Sequence, residues 1–175
     1  MKLLRDFLIQ RNIRNRKAPS KRIEPDLGRL KTVLLLIDSN RVSHAEIVKS
    51  RKVFEDLGIQ TSCITFSKEK QDTAQKILQL DQKSFFMGVQ LKKEWISAKE
   101  LGQDYDMILC YNPQSVALIH LIMSQLRGNL RIGSEMQHKE LYDIIVEIER
   151  EKNMHRFAQQ SLLLLQNLNK YELVR

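Results

Sequence analysis

Nine consecutive residues limit the fold of this chain more than any others: Thr32-Val33-Leu34-Leu35-Leu36-Ile37-Asp38-Ser39-Asn40. The run is apolar without a break from Val33 to Ile37 and stops in three polar residues. An uninterrupted apolar segment of that length, followed by a helical pattern, predicts a strand buried on both faces, as in a parallel sheet. Its polar end would lie at the carboxyl edge, where open α/β sheets keep their ligand crevices.

The residues that follow support that start. Ser43-His44-Ala45-Glu46 reads as a capping box, in which Ser43 accepts from a first-turn N–H and Glu46 reaches back. The helix it opens predicts a buried face of Ile47, Val48, Phe54 and Leu57 and a stop at Gly58. Residues 61–66 form a second strand, and the crossover is long enough for parallel pairing. Residues 69–80 read as a weak helix, and Ser84-Phe85-Phe86-Met87 as a third strand ending at Gly88. Residues 91–101 show no clear period, although Trp95 and Ile96 need burying.

A fourth strand is expected over 106–111. Asn112-Pro113-Gln114-Ser115 then turns the chain into an apolar helix that runs through about Leu126 and is closed by Gly128. Residues 130–132 and 141–148 supply a fifth and a sixth strand, the fifth closed by Gly133-Ser134. A final helix over about 152–169 places Phe157, Ala158, Leu164, Leu165 and Leu168 on one side. Strands alternating with helices predict an α/β fold, a three-layer Rossmann-like sandwich with a mostly parallel sheet of five to six strands. A single domain over 32–175 follows, preceded over 1–31 by a basic helix and linker. In that segment Leu3, Leu4, Phe7 and Leu8 fall at helical spacing, and Pro19 and Pro25 break the chain.

The charge is concentrated where the fold is weakest. Of the net +8, residues 1–31 carry ten Lys or Arg against three acids, whereas the remaining 144 residues carry 19 against 18. A basic arm on a nearly neutral body points to a polyanionic neighbour, nucleic acid or an anionic membrane face, or else to a solvated terminus. Arg5, Arg11, Arg14, Arg16, Lys17, Lys21 and Arg22 are the candidate contacts. Arginine-rich arms neutralise phosphates without a defined fold of their own. Phe7 is the arm's one aromatic residue, so base-specific stacking is not supported. Arg5 and Asp6 interrupt the apolar N-terminus, so no secretory signal is expected. No apolar run approaches the ~18–20 residues that span a bilayer. A cytoplasmic protein is expected.

Several chemistries find no pattern here. The six glycines are scattered, and no phosphate-cradling G-x-G-x-x-G or G-x-x-x-x-G-K-[ST] spacing passes through them. His44, His120, His138 and His155 are far apart in sequence, and neither Cys63 nor Cys110 has a partner at ligand spacing, so no metal and no cofactor are expected. Both cysteines fall in predicted strands and read as apolar filler in a reducing compartment. His120, inside an apolar run, reads as a core histidine. No G-x-S-x-G elbow occurs.

What remains is a polar rim: Asp38, Ser39 and Asn40 after one strand, Tyr111 and Asn112 after another, Ser134 and Glu135 after a third. Asp38 is the one group among them that could serve as a general base. The same residue types also close turns and cap helices.

Two resemblances bear on this. Lys31-Thr32-Val33, Tyr105-Asp106-Met107-Ile108-Leu109, Arg131-Ile132-Gly133, Leu141-Tyr142-Asp143-Ile144-Ile145 and the closing Asn167-Leu168-Asn169-Lys170 resemble a family of small bacterial, Bacteroidetes-type proteins known only as a domain of unknown function. That likeness implies a cytoplasmic α/β protein and brings no activity. Residues 105–108, an apolar helix containing Ala117, and Arg131-Ile132-Gly133 are also similar to the N-terminal domain of heptosyltransferases. Where that family has a Gly-Asp pair carrying its proposed base, this chain has Ser39-Asn40-Arg41-Val42-Ser43-His44, so the resemblance implies the fold and not the activity. The expected function is a non-enzymatic binding or adaptor protein whose arm contacts RNA or a ribonucleoprotein. The alternatives are a sugar- or nucleotide-binding domain or enzyme using the rim, and a peripheral membrane protein held through residues 2–15.

Overall fold

A computed structural model describes residues 8, 11, 13, 27–40, 42–67, 77–86, 89–134, 138–147 and 153–172. The opening apolar run forms β1 (Thr32–Asp38), buried from Val33 to Asp38. It is followed by α1 (His44–Glu55), β2 (Gln60–Phe66), β3 (Leu78–Leu80), and a short hairpin of β4 (Phe85–Phe86) and β5 (Gln90–Leu91). Two single-turn helices come next, α2 (Lys93–Ile96) and α3 (Lys99–Gly102), then β6 (Asp104–Tyr111), α4 (Ala117–Met123), β7 (Arg127–Gly133), β8 (Ile144–Ile145) and α5 (Met154–Glu172).

Six strands form one sheet in the order β3-β2-β1-β6-β7-β8, and every pair in it is parallel. Counting only these strands in chain order, the arrangement is 3-2-1-4-5-6, that of a Rossmann fold. The two faces of β1 explain its unbroken apolar run. Val33, Leu35 and Ile37 join one core cluster with Ile47 and Phe54 of α1 and Met154, Phe157, Ala158 and Leu165 of α5. Leu34 and Leu36 join another with α4, Phe85, Leu91 and Ile13. A strand covered on both faces cannot alternate polar with apolar residues. The result is the predicted three-layer α/β sandwich.

At the amino edge, Asp106 closes the two central strands on each other. Its Oδ2 accepts from the Lys31 and Thr32 backbone N–H groups, both at 2.9 Å, and from Thr32 Oγ1 at 3.0 Å. Thr32 Oγ1 accepts in return from the Asp106 N–H.

Several expected elements are different in detail. The third strand of the sheet is Leu78–Leu80, paired with β2, within a stretch that reads as the end of a helix. Residues 69–76 lie outside the described residues. Phe85–Phe86 pairs instead with Gln90–Leu91, antiparallel and apart from the main sheet; Met87 and Gly88 are not described. Three residues are too few to show a period of two against an apolar spacing that also fits a helix. Residues 91–101 hold the end of β5, at Leu91, and then α2 and most of α3, which are too short to display a helical stripe.

Gly128 does not end α4, which stops at Met123 with Ser124 as its cap. It lies in β7, where an added Cβ would meet Ile108 Cδ1 at 2.6 Å. Close packing between neighbouring strands, and not helix termination, explains that glycine. The sixth strand shrinks from 141–148 to Ile144–Ile145, because a 3-10 turn at Lys139–Leu141 precedes it. Gly58 does end its helix segment, at φ +75°. Leu57, however, falls beyond the last turn and is 54% exposed.

The capping box after β1 forms by half. Ser43 Oγ accepts from the Glu46 N–H. The Glu46 carboxylate does not return to Ser43 and accepts instead from the Met154 N–H at 2.6 Å, capping α5, which packs beside α1 on the same face. The buried stripe of α5 is Met154, Phe157, Ala158, Ser161 and Leu165; Leu164 is half-buried and Leu168 is on the exposed side. No helix among the described residues is long and apolar enough to cross a membrane.

Candidate functional site

In a sheet of this order, connections from β1 run one way and those from β6 the other, and the crevice between them is where such folds bind ligands. The register aligns Ile37 with Tyr111, and Asp38 with Phe66. The two polar strand ends, Asp38-Ser39-Asn40 and Tyr111-Asn112, are therefore neighbours at one edge.

Each has a local partner. Asp38 is 1% exposed, and its Oδ1 accepts from the backbone N–H and the side-chain amide of Asn40. Ser39 Oγ donates to the Phe66 carbonyl at 3.0 Å, which ties the end of β1 to β2. Asn40 is exposed. Tyr111 points to the α1–α5 face, where its ring packs 5.8 Å from Phe157. Burial, then the carboxylates of Glu46 and Asp38, push its phenol well above the ordinary range. Asn112 is fully buried; its Oδ1 accepts from the Val116 N–H at 2.8 Å, and its own N–H donates to Ser134 Oγ. Glu135 lies outside the described residues.

Beside this rim lies a second constellation. His120, on α4, is 0% exposed. Asn112 Nδ2 stands 3.1 Å from its Nε2, and Ser115 Oγ 3.4 Å away. Because the Asn112 oxygen already accepts from Val116, the Asn112 nitrogen can only donate, so a neutral His120 carries its proton on Nδ1. That nitrogen is 3.3 Å from the Tyr142 hydroxyl, which donates to Cys110 Sγ at 3.3 Å. The His138 ring lies 4.7 Å from that of His120, and His138 Nδ1 is 3.1 Å from Glu140 Oε1. Burial works to raise the pKa of Glu140. A hydrogen bond from its own backbone, another from His138 and the nearby charges of His138 and His120 outweigh it and hold the carboxyl low.

The backbone around this network is unusual. Ser115 (φ +55°) and His138 (φ +57°) are the non-glycine residues with positive φ among those described. Each such residue costs on the order of 1–3 kcal/mol, and persists where its surroundings fix it. Gly133 lets the Tyr142 ring approach, since a Cβ there would lie 2.8 Å from it.

On the same face, Arg131 is 2% exposed. Its Nη2 donates to the Leu126 carbonyl at 2.7 Å, while Nε and Nη1 have no hydrogen-bond partner among the described residues. Burial lowers its pKa, against the pull of Asp143 and Tyr142.

The rim was legible because its residues are contiguous with strand ends. The His120 network was not, because Cys110, His120 and Tyr142 come from three elements and each alone reads as core. The one available signal was a histidine inside an otherwise apolar helix. Of the arm's candidate contacts, Arg11 is described and exposed; Arg5, Arg14, Arg16, Lys17, Lys21 and Arg22 lie outside the described residues. Ile13, two residues beyond Arg11, is buried in the core. Among the described residues no group of three or more His, Cys, Asp or Glu could hold a metal ion.

A family model, "Family of unknown function (DUF6913)", matches residues 4–168. The chain belongs to that family. The match covers the sheet, the His120 network and most of the basic arm, and it carries no activity with it. No curated protein and no solved structure matches the chain.

Proposed function

We propose that this DUF6913 chain is a non-enzymatic binding protein of the bacterial cytoplasm, in which an α/β domain holds a basic arm against RNA or a ribonucleoprotein. The observation that carries this reading is the charge distribution: ten of the 29 basic residues stand in the first 31, on a body that is close to neutral. Two features of the structure support it. Ile13 is buried in the core cluster that also holds the residues of α4, while Arg11, two residues before it, is exposed to solvent. Asp38, the one general-base candidate of the rim, is buried and engaged by Asn40, an arrangement that serves a turn better than proton transfer.

The reading is tested by sedimenting cell lysate through sucrose at low and at high salt. The protein should travel with ribosomes or RNA at low salt and be released by salt or ribonuclease. A variant with Arg5, Arg11, Arg14, Arg16, Lys17, Lys21 and Arg22 all replaced by Gln should stay at the top of the gradient. Co-migration of that variant with RNA, or partition of the wild type with anionic membranes, would overturn the proposal in favour of the other readings of the arm.

A second reading is favoured by the strand order. The β1–β6 switch point brings Asp38, Ser39, Asn40, Tyr111 and Asn112 to one edge, where a sugar or nucleotide would bind in a fold of this kind.

A further inference from the structure

Farther along the same carboxyl edge, at the ends of β2 and β3, is an open pocket of about 200 Å³. Its walls include Ser67, Gln79, Lys83, Lys92, Glu94 and Trp95. No part of the arm's proposed role depends on it. The geometry points to a binding site for a single sugar ring.

Four properties of the pocket carry this. The first is its size, below the ~300–1,000 Å³ of pockets for drug-sized ligands and suited to one small ring. Its charge is the second: Lys83 and Lys92 are balanced by Asp81 and Glu94, so neither a bare cation nor a bare anion is favoured. Third is the alternation of polar groups. Ammonium and amide donors stand among carboxylate, amide and hydroxyl acceptors, and a sugar hydroxyl both donates and accepts. The last is Trp95, half-buried, which packs against the core while also lining the pocket. The electron-rich face of an indole favours the polarised C–H groups of a pyranose ring.

The wall is held in place before any ligand arrives. Asp81 Oδ1 accepts from the Ser84 N–H and the Ser84 hydroxyl, both at 2.9 Å, and Ser84 Oγ accepts in return from the Asp81 N–H. The Lys92 N–H donates to the Ser84 carbonyl at 3.0 Å, which fixes the start of α2, and so Trp95, against the β3 end. Preorganisation of this kind lowers the entropic cost of binding.

Trp95 is the only tryptophan in the chain, so its fluorescence reports this pocket alone. The full-length protein is titrated with glucose, galactose, mannose, N-acetylglucosamine, glucose 6-phosphate and inorganic phosphate. At least one sugar or sugar phosphate should give a saturable shift of the emission. Glu94→Ala and Lys92→Ala, at exposed and half-buried positions, should each weaken that binding about tenfold, as expected for loss of one hydrogen bond, with unchanged thermal melting. No response to any sugar into the tens of millimolar, an unchanged response in both variants, or saturation by inorganic phosphate alone would each overturn the assignment.

Discussion

At the scale of single residues, the densest chemistry in the molecule is the chain of contacts from Asn112 through His120 and Tyr142 to Cys110. Cys110, His120 and Asn112 are buried and Tyr142 is half-buried, and two residues with positive φ border the network. Gly133 is what admits Tyr142. Gly133→Ala would place a methyl 2.8 Å from the Tyr142 ring, and a rigid ring packed against the core has little room to give. The substitution should lower stability by about 1–3 kcal/mol, read from urea denaturation. A change within about 0.5 kcal/mol, the range of an ordinary surface substitution, would show that the ring is not confined.

Glu140 makes a separate prediction. Its folded pKa is held below the ordinary carboxylate value, so its stabilising effect is present at neutral pH and is lost as pH falls through the folded value. Acid unfolding of Glu140→Gln should therefore be less steep below pH 4.5 than that of the wild type, with the two curves parallel above pH 6. Identical acid limbs would contradict the His138–Glu140 contact. Cys63 should be inert throughout, since burial pushes its thiol up to about 12.

Among elements, the pairing of α1 with α5 decides how the back face of the sheet is closed. The link between them is Glu46, whose carboxylate takes the first N–H of α5. Glu46→Ala should cost about 0.5–2 kcal/mol, the usual range for a lost helix cap. Amide exchange should quicken in the first turn of α5 and not in α1, where Ser43 still caps. Equal protection in both helices would mean that the carboxylate bond contributes nothing.

The same scale shows what a reader of the sequence could see. β1, α1 and β2 were legible because a doubly buried strand leaves a run of five apolar residues and a helix leaves Ser43 and Gly58 at its ends. The destination of Glu46 was not, because a capping box and a long-range cap present the same Ser-x-x-Glu spacing. β3 was hidden by its length of three residues. The rim at Asp38 and Asn112 was legible as a position, while its engagement in turns depends on atoms and not on residue order.

Over the whole molecule, a six-stranded parallel sheet forms the core of a nearly neutral body, and almost all of the net charge stands in residues 1–31 of the sequence. Ile13, within the basic segment, is buried in the same core cluster as the residues of α4. Electrostatic binding by such an arm has a signature that a fold alone cannot imitate, because each neutralised phosphate releases counterions. The decisive measurement is the affinity of the purified protein for a single-stranded RNA oligonucleotide, by fluorescence anisotropy, over a series of salt concentrations. Seven arm contacts predict a slope of log K against log [salt] of about −5, at roughly −0.7 per phosphate, and a slope near zero when the seven residues are Gln. The same slope in wild type and variant, or no binding by the wild type at low salt, would contradict the proposed function.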